Sequence, residues 1–272
     1  MTENGLVPVH VRRHRNFFWR RFTSFGFAQS MAGCPIVISE ISRIASAFPI
    51  VFQLRGDDFI PTALFSVAAG IASPFVDPKG HWRAPYVPSA LRSYPFYTGP
   101  CRNSDVPAVQ KLCLYVDENS GLLTRDPQDN PFFTDQNKLS QDLQDVLQFL
   151  QHREAAAITT HRLCTLLAEM ELFIPLQDFE GIALPPACWG IDRKKLNRVP
   201  DVFNLTLIKN DAFELIHAHQ ISLSQCAWLA QAQRGSEYNH SSSSDTLNGF
   251  LTAMANDIAH DHTNAEPINE MG

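Results

Sequence analysis

Between Leu139 and Leu150, apolar residues recur every three or four positions. Leu139, Leu143, Val146, Leu147 and Leu150 share one side and polar residues occupy the other, the pattern of an amphipathic helix. The stripe continues through Ile158, Leu163, Leu166, Leu167 and Met170. One helix of that span is unusually long, so a bend or break near Thr159-Thr160 is expected, giving a central helical pair. Elsewhere the period shortens to two. Ile50 to Leu54 is a β-branched, apolar run ending at the turn Arg55-Gly56-Asp57-Asp58, with Pro61 to Ala69 as its expected antiparallel partner. Leu112, Leu114 and Val116 alternate with Cys113 and Tyr115, and Phe17, Trp19, Phe25 and Phe27 also suit strand. Phe213, Leu215, His217, His219, Ile221 and Leu223 are apolar or histidine at every second position. As a strand this places both histidines on one buried face; as a helix it splays them by about 200°.

Shorter helices are expected at Glu40 to Ala47, Ser89 to Ser93 and Asp201 to Lys209, with Asp192 capping a turn through Leu196. The fold class read from these patterns is α+β, with mixed, mainly antiparallel strands, the central helical pair and a flexible C-terminal tail. Residues 1–15 read as a loose basic arm and 16–233 as the folded domain. Residues 234–272 read as a polar linker, Ser241 to Ser244, followed by a short amphipathic helix bearing Leu247, Phe250, Leu251, Met254 and Ile258.

One stretch fits neither period. From Asp77 to Tyr97 the chain reads DPKGHWRAPYVPSALRSYPFY, in which the prolines exclude a long helix or a central strand. Asp77-Pro78-Lys79-Gly80 is a turn of type I composition. The remainder is a folded connector whose rings pack and whose arginines pair or bind.

Composition changes this picture little. A net charge of −6 argues against phosphate-driven nucleic-acid binding. The six cysteines are scattered without metal-ligand spacing, which suggests buried thiols in a reducing, cytoplasmic compartment rather than a zinc site or a disulfide framework. No apolar run reaches the length of a transmembrane span. Arg12 to Arg21 followed by Met31-Ala32-Gly33-Cys34 superficially resembles a lipoprotein signal. The apolar region between is interrupted by Thr23, Ser24, Gly26 and Gln29, so a folded, unprocessed segment is expected.

No phosphate-cradling glycine loop, nucleophile elbow or H-E-x-x-H motif is present, and no cofactor or metal is expected. Two constellations remain. His217 and His219 with His81, converging with a carboxylate such as Glu40, Asp117 or Asp192, would make a metal site or an acid/base pair, with His219 and Glu40 or Asp117 as the catalytic candidates; the plainer alternative is two buried histidines satisfied by hydrogen bonds. Trp82, Arg83, Tyr86, Arg92 and Tyr94 would grip a carboxylate or a peptide against aromatic faces. The plainer alternative for the second set is a structural brace, its guanidinium groups stacked on rings and bonded to loop carbonyls.

Several segments together resemble the bacterial SapC family, named for a protein associated with surface layers. They are VISEISRIASAFPIVF within Ile36 to Phe52, GHWRAPYVPSALRSYPF from Gly80 to Phe96, LYVDENSGLLT from Leu114 to Thr124, FFTDQN from Phe132 to Asn137, WGIDRKKLNRVPD from Trp189 to Asp201 and AHQISL from Ala218 to Leu223. The resemblance spans about residues 10 to 230; Gln220 departs from it, and the tail beyond Arg234 lies outside it. A permease of a peptide transporter shares the name but is a spanning protein, which this chain does not resemble. The absence of catalytic motifs and the aromatic, arginine-rich segment point to a soluble, non-catalytic accessory or binding protein acting on a peptide or protein partner, and the resemblance implies a link to surface-layer or cell-envelope processes. Implied partners are peptide-tailoring enzymes such as cupin-like hydroxylases and flavin-dependent halogenases, or envelope proteins, with an envelope-associated location as the alternative to the cytoplasm. It carries no catalytic residue set. The polar and aromatic positions it singles out are Glu40, Trp82, Arg83, Tyr86, Arg92, Tyr94, Asp117, Asp192 and His219. A small peptide-modifying enzyme built on His219 is the alternative.

Overall fold

The computed structural model describes residues 5–68, 70–101 and 112–239. In chain order the first elements are β1 (Leu6–Pro8), α1 (Val11–His14), β2 (Phe18–Trp19), β3 (Gly33–Pro35), α2 (Ile41–Ala45), β4 (Ile50–Arg55), β5 (Asp58–Leu64) and α3 (Ser89–Arg92). There follow β6 (Phe96–Pro100), β7 (Leu112–Asp117), β8 (Leu123–Thr124), β9 (Asn130–Pro131), α4 (Gln141–Glu169), β10 (Phe173–Pro175), β11 (Asp178–Phe179), β12 (Ile182–Ala183) and β13 (Cys188–Ile191). Helices α5 (Arg193–Leu196), α6 (Asp201–Lys209), α7 (Ala212–Ser222) and α8 (Gln225–Asn239) complete the described chain. One compact unit ends at Gln233. The class is α+β, and the strand pairs are antiparallel throughout the described residues.

Two hydrophobic cores organise this unit. The larger is built on a five-stranded sheet in the order β10-β13-β4-β5-β3, whose centre is the β4–β5 hairpin expected from the apolar run at 50–54. The hairpin turns at Gly56-Asp57, with Gly56 at φ 61°, a conformation that favours glycine. Ile50, Val51 and Phe52 are all fully buried, and helices α2 and α7 pack together beside them. The smaller core gathers Trp19, Phe96, Leu114, Val116, Phe132, Leu143 and Leu150, over the sheet β1-β7-β6.

Helix α4 joins the two. Leu143 and Leu150 belong to the smaller core, Leu163, Cys164 and Leu167 to the larger. Its 29 residues run without the expected break, for a length of about 43 Å, so the helical pair is a single helix. Thr159 and Thr160 are accommodated because each hydroxyl donates to the carbonyl four residues back, Ala155 at 3.3 Å and Ala156 at 2.7 Å.

Other expectations are corrected. Of the two readings of the 213–223 stretch the structure takes the helix, α7: its buried positions, Ala212, Leu215, Ile216, Ala218, His219 and Ser222, follow the helical period. Its consequence is that His219 is buried while His217 is exposed. The basic arm is ordered from Gly5 onward. Leu6–Pro8 pairs with β7, and Arg13 holds Glu118 through two bonds of 2.5 and 2.6 Å, a fork that matches a carboxylate. Only Phe18–Trp19 of the 17–27 stretch is strand; its other rings pack instead of pairing. Cys101 and Cys113 form a disulfide across the β6–β7 hairpin, whereas Cys34, Cys164, Cys188 and Cys226 are buried free thiols. The amphipathic segment from Leu247 to Ile258 and the serine linker lie outside the described residues. Among the described residues, no helix is long and apolar enough to cross a membrane.

Candidate functional site

The Asp77 to Tyr97 stretch runs from one core to the other. Val76 and Leu91 sit in the larger core and Phe96 in the smaller. It begins with the expected turn, in which Gly80 N–H donates to the Asp77 carbonyl at 2.8 Å. The Asp77 carboxylate collects the backbone N–H groups of His81 and Lys79, the His81 ring and the Arg83 guanidinium at 2.6 Å. Led by the His81 backbone bond, these hold its pKa down to about 2. Arg83 is thereby occupied in closing its own loop. Trp82 packs among Phe25, Phe48, Phe65 and Phe75 and donates its indole N–H to the Tyr86 carbonyl at 2.8 Å. Tyr94 stacks on Phe27 with centroids 4.0 Å apart. These three residues act as braces in the geometry observed.

Tyr86 and Arg92 form a different arrangement, centred on Glu40. That carboxylate is 3% exposed, yet it accepts four bonds: Val37 N–H at 3.3 Å, Ser89 N–H at 2.8 Å, Ser89 O–H at 2.7 Å and Tyr86 O–H at 2.9 Å. Two arginines reach it through those hydroxyls. Arg92 donates to the Tyr86 oxygen at 3.1 Å, and Arg153, from the middle of α4, donates to the Ser89 oxygen at 3.1 Å and to the Pro35 carbonyl at 3.2 Å. A buried carboxylate is tolerated when its lone pairs are filled and its charge is balanced nearby. Burial and the bond to Glu40 push the Tyr86 hydroxyl up to about 12, so it remains a donor at neutral pH. Burial, then the negative Glu40, also raises the Cys34 thiol, with Arg153 opposing.

On the solvent side of this hub lie two arginines. The guanidinium carbons of Arg43 and Arg92 stand 5.8 and 5.6 Å from the centroid of the Tyr86 ring, and Arg92 also lies 5.1 Å from that of Phe149. Both arginines are exposed. Neither makes an ion pair with a carboxylate among the described residues.

The remaining candidates stand apart. His219 donates from Nδ1 to the Ile50 carbonyl at 2.7 Å and accepts the Ile191 N–H at Nε2 at 3.2 Å, which fixes its tautomer; burial lowers its pKa to about 4. Asp117 caps a single turn by accepting the Asn119 N–H at 2.9 Å, and Asp192 caps α5 through the Lys194 and Lys195 N–H groups. No hydrogen bond links His219, Glu40 and Asp117 among the described residues, and His81 bonds Asp77. No cluster of potential metal ligands occurs among those residues. A small cleft of about 110 Å³ lies away from the hub, lined by Asp57, Asp58, Phe59, His161 and Glu169 among others.

Sequence reasoning missed Arg153, Ser89, Arg43 and Phe149. Arg153 had a signal: three residues after Leu150, it interrupts the apolar stripe of α4, as Thr160 does seven residues later. Both interruptions bond the 35–38 segment, Thr160 accepting the Ile38 N–H at 2.8 Å.

The profile of the SapC family matches residues 9–229. The chain belongs to the SapC family. The matched span contains the Glu40 hub, both cores and the whole of α4. Searches of curated proteins and of solved structures returned no match.

Proposed function

We propose that this SapC-family protein is a binding or accessory protein whose contact point is the face formed by Arg43, Tyr86 and Arg92, and that it holds a carboxylate-bearing peptide or protein there. The observation that carries the reading is a pair of exposed guanidinium groups gathered about one tyrosine ring with no carboxylate partner among the described residues. Glu40 below is already saturated by its four donors, so the outward N–H groups of Arg43 and Arg92 are available to an incoming anion. Envelope proteins and peptide-tailoring enzymes are the partner classes that the SapC resemblance adds. The Cys101–Cys113 bridge favours the envelope over the cytoplasm as the location.

The test is fluorescence anisotropy with labelled peptides rich in aspartate and glutamate, each compared with its amide counterpart. The full chain is expected to prefer the acidic peptide, and the double variant Arg43→Ala/Arg92→Ala to bind it about tenfold more weakly. Arg83→Ala, whose guanidinium serves Asp77, is expected to bind normally. Equal binding of acidic and amide peptides, or an unaffected double variant, refutes the reading.

A further inference from the structure

Helix α6 turns its apolar residues outward. Val202, Leu205 and Ile208 are 73%, 55% and 58% exposed, and Phe203 is 50% exposed. The three spaced by three residues lie on the side opposite Leu207, which is fully buried. A nine-residue helix therefore anchors itself by one leucine and presents a larger apolar surface to solvent than to its own core. Exposed apolar side chains are ordinary one at a time, but three on one face of a short helix mark a contact surface.

The charge beside it is equally uneven. In a chain of net charge −6, residues 193–209 hold Arg193, Lys194, Lys195, Arg198 and Lys209 against Asp201 alone. Arg193, Lys194, Arg198 and Lys209 are exposed and make no ion pair among the described residues; Lys195 lies 3.9 Å from the Glu171 carboxylate. Asp192, just upstream, is engaged as the cap of α5. Asp201 occupies the first turn of α6, where the helix N-terminus favours a negative charge. Asp211 and Glu214 follow at the start of α7.

We propose that α5 and α6 form a peripheral membrane-contact surface for anionic lipid. Val202, Leu205 and Ile208 enter the acyl boundary, and Arg193, Lys194, Arg198 and Lys209 meet the phosphate headgroups. Apolar side chains along one exposed helix face with lysines and arginines beside them in sequence are the pattern of an interfacial helix, and clustered basic residues add attraction to a negative surface. A bilayer accepts such an exposed stripe without a matching groove. This surface involves none of the residues of the Arg43–Tyr86–Arg92 face.

The experiment is co-sedimentation of the full-length protein with vesicles of phosphatidylglycerol and phosphatidylcholine, and with phosphatidylcholine alone. Binding is expected for the anionic vesicles and is expected to weaken with added salt. Leu205→Asp/Ile208→Asp and Lys194→Glu/Arg198→Glu should each reduce it about tenfold. All four side chains are exposed, so unchanged circular dichroism will show that the variants fold. Arg43→Ala/Arg92→Ala should bind vesicles as the unaltered protein does, which separates failure here from failure of the peptide-binding reading. Equal sedimentation with both vesicle types, or no loss in either α5–α6 variant, overturns the proposal. So does self-association in light scattering that Leu205→Asp abolishes, since the face would then belong to a second copy of the chain.

Discussion

At the scale of single residues, His219 shows how burial and bonding divide the work. Its neutral ring satisfies one backbone carbonyl and one N–H inside the larger core, and protonation would put a donor against the Ile191 N–H. Its folded pKa, about 4, lies below the ordinary 6.5. The unfolded chain therefore binds more protons between these values. Stability is full above pH 6.5 and declines as pH falls toward 4, by on the order of 3 kcal/mol. Urea unfolding across this range should show that slope, and His219→Gln, which keeps a donor and an acceptor but cannot titrate, should flatten it. His14, also lowered by burial, leaves a residual slope in the same direction. Glu40 offers a second measurement. Glu40→Ala removes the acceptor for four donors and should cost about 3–5 kcal/mol. Because Arg153 acts on Glu40 through Ser89, a double-mutant cycle of Glu40→Gln with Arg153→Met should be non-additive by more than about 0.5 kcal/mol. Additive effects would mean that the relay through Ser89 carries no energy.

At the scale of elements, α4 and α7 show where sequence patterns sufficed and where they failed. The leucine stripe revealed α4, but neither its continuity nor its double attachment. Thr159 and Thr160 look alike in sequence; only Thr160 is buried and holds the Ile38 N–H. Thr160→Val is accordingly expected to destabilise the protein by about 1–2 kcal/mol, and Thr159→Val by less than about 0.5 kcal/mol, as read from urea midpoints. For α7, attention to large apolar residues gave a period of two. The helical period was carried by Ala212, Ala218 and Ser222, small residues that allow close packing and attract little notice in a hydrophobicity pattern. The β4–β5 hairpin was legible from an apolar run closed by a turn and β7 from its alternation, because both signals are local. The Glu40 hub was not, since Glu40 and Tyr86 are 46 residues apart and Arg153 lies a further 64 from Ser89. Pairing across such distances leaves no spacing to read.

At the scale of the whole molecule, two cores share one helix and one proline-rich connector. Of the four tryptophans, Trp19 alone belongs to the smaller core. If α4 couples the cores, Trp19 fluorescence and far-ultraviolet circular dichroism should report a single urea transition with one midpoint. Arg153→Met, which releases α4 from Ser89 and Pro35, should move both midpoints together if the coupling lies elsewhere along α4 and separate them if it lies at the hub. Two midpoints in the unaltered protein would show that the cores unfold independently.

The distribution of these cores along the chain also bears on its synthesis. Every buried member of the smaller core lies at or before Leu150, whereas the larger one draws on residues as late as Leu229. A ribosome adding about 5–20 residues per second releases the last pieces of the larger core roughly 4–16 s after those of the smaller. At the start of that interval the nascent chain carries a finished small core, the first third of α4, and a β4–β5 hairpin that has α2 but not yet α7 or the second half of α4 to cover it. That interval is when a chaperone would meet this protein.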